Sequence, residues 1–167
     1  MTEINVTPAT ATTRADSLLD YTVETIPLLT PDGEASGWLA NRRTDSKQVL
    51  GVCTERYTLV QNRSLMDTVE NAFADNKLGE FTRKEYSMRD GARVYVQYDF
   101  KNQLVKLPKV GDDLGLRLIL NNSFDRTCRV SFEMGILRLV CTNGLKTLQD
   151  EFSLTQKHSD KLDVSRL

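Results

Sequence analysis

The stretch Leu114–Gly144, LGLRLILNNSFDRTCRVSFEMGILRLVCTNG, decides the fold of this chain. Leu116, Leu118 and Leu120 fall at every second position of its first part. This spacing is typical of a strand that buries one face in a sheet, because successive side chains of a strand point to opposite sides. The stretch therefore predicts the central strands of a sheet.

The same alternation recurs at Arg129–Phe132 and Ile136–Cys141, so the stretch contains two or three strands. Asn121–Asp125 lies between them and is predicted to be a turn, because Asn and Asp side chains hydrogen-bond to nearby backbone and tolerate left-handed conformations. At the end of the stretch, Asn143-Gly144 is predicted to open a helix. Its exposed amide groups suit an anion such as phosphate, although helix capping alone explains the same residues.

Upstream of this stretch, the pattern predicts an edge strand, two hairpins and an intervening strand. The predicted strands are Tyr21–Leu29 at the edge, Trp38–Thr44 with Val49–Cys53, Arg56–Val60 continuing to Asn62, and Glu80–Tyr86 with Arg93–Lys101 across an Asp-Gly turn. In the last arm, Val94, Val96 and Tyr98 share one face.

Asn62–Lys77 gives the best helix signal in the chain. One apolar stripe at helical spacing is formed by Leu65, Met66, Val69, Ala72 and Phe73. Ser64 or Asn62 is predicted to cap the first turn. The negative charge of Asp67 is predicted to stabilise the positive N-terminal end of the helix. A second helix is predicted at Gly144–Phe152.

The order of these elements predicts an α+β fold: a largely antiparallel sheet built from hairpins, with two helices packed on one face. The predicted division is a flexible N-terminal arm at 1–20, a single domain at 21–152 and a polar C-terminal tail at 153–167. A chain of 167 residues is long enough to bury one hydrophobic core that is stable by itself.

Composition favours a cytoplasmic protein outside the membrane. No apolar run approaches the roughly 18 residues of a membrane span, and no secretory signal is visible. The chain has three cysteines, Cys53, Cys128 and Cys141, each inside an apolar pattern. An odd number without paired metal-ligand spacing predicts buried small hydrophobic residues.

Charge is uneven along the chain although the total is only −1. Residues 41–146 hold eighteen basic and thirteen acidic residues, a net charge of +5, whereas residues 1–40 hold one and six, a net charge of −5. A surplus of this size is weak evidence for a polyanion partner, and from charge alone a solvated mixed surface is the preferred explanation.

The sequence predicts a binding protein and no enzyme, cofactor or metal site. It has no glycine-rich phosphate loop, no nucleophile elbow and no paired Cys or His ligands. His158, the single histidine, lies in a polar stretch without an orienting partner. Asp112-Asp113 beside Gly111 is predicted to be a turn.

Basic side chains interleaved with aromatic ones are typical of a groove that binds single-stranded nucleic acid. The alternative is that they are the solvated faces of half-buried strands. The candidate contacts are Arg42, Arg43, Lys47, Arg56, Tyr57, Arg83, Lys84, Tyr86, Arg89, Arg93, Tyr95, Arg126 and Arg129.

Four blocks of sequence resemble one protein family. They are Leu50–Tyr57 (LGVCTERY), Val60–Asn62 (VQN), Leu120–Asp125 (LNNSFD) and Arg138–Leu145 (RLVCTNGL). Together they resemble the phage/plasmid-like protein family, domain of unknown function 932, over about residues 40–150. The resemblance implies an origin in a phage or another mobile element, with the host cytoplasm as the location, and supplies no catalytic residues. Family members commonly continue with a longer helical region, so a partner-binding or oligomerising segment is expected to be missing here.

Two functions follow as hypotheses. The first is a phage-encoded protein that binds single-stranded nucleic acid, with annealing in recombination as its role and a homo-oligomer as a natural state, because the order of elements is similar to the core of phage single-strand annealing proteins. The alternative is an accessory factor that binds a host or phage protein, for example to inhibit a defence system. Salt dependence distinguishes the two hypotheses, because binding through phosphate contacts weakens steeply as salt rises and binding through an apolar protein interface changes little.

Overall fold

The computed structural model describes residues 9–11, 17–100, 105–106, 113–140 and 145–159, which form two antiparallel sheets and one α-helix. The large sheet has the order β1 (Ala9–Ala11), β5 (Phe81–Met88), β6 (Arg93–Phe100), β8 (Asp113–Ser123), β9 (Val130–Val140) and β10 (Leu145–Gln156), with β7 (Val105–Lys106) also paired to β8. The small sheet contains β2 (Val23–Leu29), β3 (Ala35–Arg43) and β4 (Val49–Cys53), and the helix α1 is Asn62–Asp75.

The predicted antiparallel α+β architecture is confirmed, but the prediction of two helices is wrong for the described residues. The segment predicted as a second helix lies in β10, which pairs with β9. Leu148 is opposite Leu137, and after a bulge Phe152 is opposite Met134. A short apolar run fits the spacing of a helix and that of a strand equally well. The neighbouring strand β9 favours the strand, because it supplies hydrogen-bond partners to the backbone of this segment.

The predicted turn at Asn121–Asp125 begins three residues later than expected, because β8 continues to Ser123. Asn122 is buried, and its amide nitrogen donates hydrogen bonds to the Val60 carbonyl at 3.1 Å and to Asn62 Oδ1 at 2.9 Å. The side chain therefore ties β8 to the start of α1 instead of forming a turn.

The connection into α1 also differs from the prediction. Arg56–Val60 is not a strand but a turn followed by irregular backbone. Gln61 is the N-cap residue and no side chain caps the first turn, so the capping prediction for Ser64 and Asn62 is wrong. The Gln61 side chain instead accepts from the Val23 amide at 3.0 Å and donates to the Val23 carbonyl at 2.7 Å, which joins the small sheet to the helix.

The main core lies between α1 and one face of the large sheet. The ring of Phe73 meets Phe81, Tyr98 and Phe100 edge-to-face at centroid distances of 5.5, 5.2 and 4.9 Å. Such aromatic pairs add to the stability that comes from burial itself. The predicted inward face of β6, with Val94, Val96 and Tyr98, is confirmed as buried.

An ion-pair network lies on this same buried side of the sheet. Arg83 Nη1 is 2.6 Å from Glu70 Oε1 on α1, and Arg83 Nε is 3.0 Å from Glu85 Oε1 in a geometry that is not aligned for a hydrogen bond. Glu85 is fully buried and also accepts from the Ser17 hydroxyl at 2.9 Å. Removing one partner from such a network leaves a buried charge uncompensated, so Arg83 has a structural role.

Parts of the predicted terminal segments belong to the fold. In the predicted N-terminal arm, Ala9–Ala11 pair with β5 and Leu19 is fully buried. In the predicted tail, β10 extends to Gln156. No helix in the described ranges is long and apolar enough to cross a membrane.

The small sheet docks on the end of the large sheet where the β5–β6 and β8–β9 connections lie. The Tyr21 hydroxyl donates to the Gly91 carbonyl at 2.6 Å, and the Asn41 amide donates to the Phe124 carbonyl at 2.8 Å. A Cβ atom on Gly51 would lie 2.5 Å from the Cα of Asp125. Glycine is needed at position 51 because the backbones approach closely there.

We predict that Gly51→Ala lowers the free energy of unfolding by about 1–3 kcal/mol, because the new methyl group meets backbone atoms that can move only with the β8–β9 connection. Val52→Thr, a change at the neighbouring exposed position, is the control and is expected to alter stability by less than about 0.5 kcal/mol. Urea denaturation followed by circular dichroism measures both, and equal midpoints for the two variants would contradict the packing described here.

Candidate nucleic-acid interface

The face of the large sheet opposite α1 carries a continuous set of polar and aromatic side chains, and we call it the open face. Strand register arranges them in rows. One row crosses the sheet through Tyr86, Tyr95, Asn121, Ser131 and Thr155, and the adjacent row through Lys84, Gln97, Ile119, Glu133 and Ser153.

A groove of about 540 Å³ crosses the open face, and we call it the sheet groove. It is lined by Met88, Arg93, Tyr95, Ile119, Asn121, Cys128, Arg129, Ser131, Glu133 and Thr155. Its apolar residues and aromatic ring can hold a flat ligand, while its amide, hydroxyl and charged groups can bind that ligand's polar edges.

A stacked tyrosine pair stands beside the groove. The rings of Tyr86 and Tyr95 lie 4.3 Å apart with an interplanar angle of 17°. Burial, followed by the neighbouring Tyr86, raises the pKa of Tyr95 to about 12, so its hydroxyl is protonated at neutral pH. The pair fixes the orientation of Tyr95, which lines the groove.

The groove floor contains a small hydrogen-bonded cluster. The Asn121 amide nitrogen donates to Ser131 Oγ at 3.0 Å and to Glu133 Oε1 at 3.2 Å. The Ser131 hydroxyl donates to the same Glu133 oxygen at 3.1 Å. These three side chains come from β8 and β9, and their mutual bonds hold the Glu133 carboxylate in one orientation.

A second pocket, of about 330 Å³, adjoins the groove at Cys128 and Arg129, and we call it the basic pocket. It is lined by Tyr57, Arg126, Thr127, Cys128, Arg129, Lys157 and His158. Among the described residues, none of its cations Arg126, Arg129 and Lys157 forms an ion pair, and no carboxylate lines it. Three unpaired cations around one pocket suit an anionic group such as phosphate.

Hydrogen bonds in the loop at 124–129 position the basic pocket. The Tyr57 hydroxyl donates to the Ser123 carbonyl at 2.6 Å. The Ser123 hydroxyl donates to the Cys128 carbonyl at 2.9 Å and accepts from the Cys128 amide at 3.1 Å. Arg126 has a φ of 66°, so the loop turns sharply at the residue that carries one of the cations.

His158 forms the wall of this pocket through contacts with the irregular segment before α1. Its ring stacks on Tyr57 with centroids 4.7 Å apart, and its Nδ1 lies 3.0 Å from the Thr58 carbonyl oxygen. Because a carbonyl only accepts, Nδ1 carries the proton, and Nε2 is the buried atom without a partner. Burial lowers the pKa of His158.

The structure brings several of the predicted contact residues together. Lys84, Tyr86, Arg93 and Tyr95 lie on the open face, and Tyr57, Arg126 and Arg129 line the basic pocket. Arg93 lines the sheet groove, and its buried Nε has no hydrogen-bond partner in the described part of the chain.

Other predicted contacts lie elsewhere or are already paired. Arg42 and Lys47 are near Glu24, at 2.7 and 3.8 Å, and Arg43 pairs with Asp45 at 2.7 Å and covers the Tyr21 ring. Arg83 lies on the buried face beneath α1. Arg89 pairs with Asp125 at 3.0 Å, and Arg56 is exposed in a turn after β4.

Some lining residues have no local sequence signal. Lys157 and His158 lie in the stretch predicted to be a polar tail, and Glu133 lies within an apolar strand pattern. Of the cysteines predicted to be buried, Cys53 is buried, Cys128 is half-buried at the junction of groove and pocket, and Cys141 lies outside the described residues.

Two further expectations concern metal binding and the Asn143-Gly144 anion site. In the part of the chain that the structure describes, no group of His, Cys, Asp and Glu side chains could hold a metal ion. Asn143, Gly144 and Asp112 lie outside the described residues, and Asp113 is the first residue of β8.

Comparison with known proteins gives one family. The family model described as "Domain of unknown function (DUF932)" matches residues 49–164, which include α1, both halves of the β5–β6 hairpin and every residue of the two pockets. No curated protein and no solved structure matches the chain.

We predict that the folded protein loses stability as the pH falls below about 6.5, the ordinary pKa of histidine. The folded state holds the His158 pKa below that value, so in this range the unfolded chain binds more protons and acid favours unfolding. Burial is the larger effect on the His158 pKa, and the hydrogen bond to the Thr58 carbonyl opposes it by raising that pKa. Carboxylates with lowered pKa values, such as Asp20, contribute only in more acidic solution.

Melting temperatures at pH 7.5 and 5.5 test this, with His158→Phe as the control because phenylalanine retains the ring stack and cannot titrate. The wild-type protein is expected to lose more stability between these values than the variant. An equal loss in both proteins would show that His158 is accessible to protons in the folded state.

Proposed function

The chain belongs to the family described as domain of unknown function 932, and we propose that it binds single-stranded nucleic acid along the open face of its large sheet. The observation that carries this proposal is that the sheet groove and the basic pocket are continuous. The groove contains an aromatic ring and space for a base, and the pocket has three cations and no carboxylate among its described lining residues. The two join at Cys128 and Arg129.

Each half of this surface fits one half of a nucleotide. A base stacked on Tyr95 would gain roughly 1–3 kcal/mol by the usual contribution of base–aromatic stacking. A phosphate in the basic pocket would be held by Arg126, Arg129 and Lys157. Single strands suit this arrangement better than duplexes, because their bases are free to turn toward a sheet surface.

The proposal assigns binding and no catalysis to these residues. The cations hold phosphates by charge, Tyr95 presents a ring, and the protonated Tyr95 hydroxyl and the fixed Glu133 carboxylate serve as hydrogen-bonding groups. We extend it to annealing of complementary strands, as in recombination, by a homo-oligomer in the host cytoplasm. The origin in a phage or mobile element and the oligomeric state remain predictions.

A second candidate function is the binding of a host or phage protein, and one observation favours it. An apolar groove of about 200 Å³ lies between α1 and strands β9 and β10, lined by residues that include Phe73, Phe132 and Leu154. Phe152 at its edge is 56% exposed and Met134 is 37% exposed. A protein partner that contributes apolar side chains would cover them, with an affinity that changes little with salt.

We predict that the combined change Arg126→Asn, Arg129→Ala and Lys157→Ala weakens the binding of a labelled dT oligonucleotide by at least about tenfold at low salt. The salt dependence should also flatten, with the magnitude of the slope of log K against log salt falling by about 0.7, because the pocket holds one phosphate. Asn is chosen at position 126 because it tolerates the left-handed backbone there. Fluorescence anisotropy at several salt concentrations measures both quantities.

The matched control removes three cations elsewhere, by Arg42→Ala, Lys47→Asn and Arg63→Ala. It has the same change in net charge and also places Asn at a left-handed position, since Lys47 has a φ of 60°. It is expected to keep nearly the wild-type affinity and slope. If the two triple variants lose affinity equally, net charge and not the basic pocket explains binding.

A further inference from the structure

The floor of the sheet groove presents hydrogen-bond acceptors at defined positions. The Asn121 amide nitrogen donates toward both Ser131 and Glu133, and the carboxylate can only accept, so the orientation of this amide is fixed. Asn121 Oδ1 and Glu133 Oε2 have no hydrogen-bond partner among the described side chains. A ligand on this floor must therefore offer donors.

The opposite end of the groove presents donors. Arg93 Nε is buried and has no hydrogen-bond partner among the described residues, and the Arg129 guanidinium is exposed and makes no ion pair with any of them. Buried donors are satisfied in almost all proteins, so an acceptor is expected at Arg93 when the groove is occupied. Strand register places Arg93 and Glu133 on opposite sides of the row that contains Tyr95, so the groove separates an acceptor side at Glu133 from a donor side at Arg93.

Guanine fits this separation better than the other bases. Its Watson–Crick edge carries adjacent donors at N1 and N2, which match a carboxylate, and its O6 and N7 acceptors are the usual partners of arginine. Thymine and uracil have a single N–H between two carbonyl groups, which the Glu133 carboxylate would repel. Adenine and cytosine place an acceptor nitrogen beside their amino group and so lose one of the two contacts.

We infer that the sheet groove is a guanine-binding site, in which Glu133 accepts from the N1 and N2 edge of the base and Arg93 donates to its acceptors while the ring stacks on Tyr95. This rests on the proposed function, since it assigns the base that a bound single strand places in the groove. This assignment also explains why a surface that otherwise favours polyanions carries an acidic group: the Glu133 carboxylate would contact a base and not a phosphate.

The test compares three labelled oligonucleotides that differ at one position: a 15-residue dT strand, the same strand with one central deoxyguanosine, and the same strand with deoxyinosine, which lacks the N2 amino group. The guanine strand is expected to bind the wild-type protein about tenfold more tightly than the dT strand, the usual discrimination of a two-bond base contact. The inosine strand should fall between them.

Glu133→Gln provides the matched variant, because glutamine retains an oxygen for Asn121 and Ser131 and replaces the free carboxylate oxygen with an N–H donor. It is expected to lose the preference for guanine, so that the ratio of the affinities for the guanine strand and the dT strand falls to about one. A preference that survives Glu133→Gln, or equal binding of all three strands by the wild-type protein, would overturn the guanine site and leave single-strand binding intact.

Competition by guanosine monophosphate tests whether the groove binds guanine within a strand or as a free nucleotide. Weak competition is expected, because one nucleotide lacks the further phosphate contacts of a strand. Competition as strong as that of the guanine strand would keep the guanine site but overturn the proposed function. If none of the three strands binds at low salt, the proposed function and the guanine site are overturned together.

Discussion

The alternation of side chains across β8 and β9 is the constraint on which the other features depend. It sends Leu118, Leu120 and Phe132 toward α1 and sends Asn121, Ser131 and Glu133 to the opposite side. A shift of one residue in the register would exchange these sets, exposing the core and burying a carboxylate. Packing against α1 therefore fixes the positions of the polar groups on the open face.

Interior hydrogen bonds join this sheet to the rest of the molecule. Asn122 ties β8 to the start of α1, and Tyr57 and Ser123 hold the loop that carries Arg126 and Arg129. The basic pocket is therefore built on fixed backbone, although its cations are on the surface. Because these bonds are buried or partly buried, breaking one would lower stability, and breaking those of Tyr57 or Ser123 would also displace the cations.

The sequence predicts much of the fold and only part of the candidate site. The hairpins, the edge strand and α1 follow from periodicity and turn residues. The apolar spacing of the segment after Gly144 fits both a helix and a strand, and only pairing with β9 makes it a strand. Arg83 and Lys84 show the limit for the site: adjacent residues in one basic cluster lie on opposite faces, one beneath α1 and one on the open face. Lys157 joins Arg126 only through the fold, so local spacing could not reveal that pair.

The most direct test of binding at the open face uses Cys128, which lies half-buried where the sheet groove meets the basic pocket. In a Cys141→Ser variant, Cys128 can be labelled with a thiol reagent under mildly alkaline conditions, because burial raises the pKa of its thiol, while Cys53 is fully buried and serves as the internal reference. A saturating single strand is expected to slow labelling of Cys128 several-fold and to leave Cys53 unchanged. An unchanged labelling rate at Cys128 in the presence of a bound strand would contradict binding at this face.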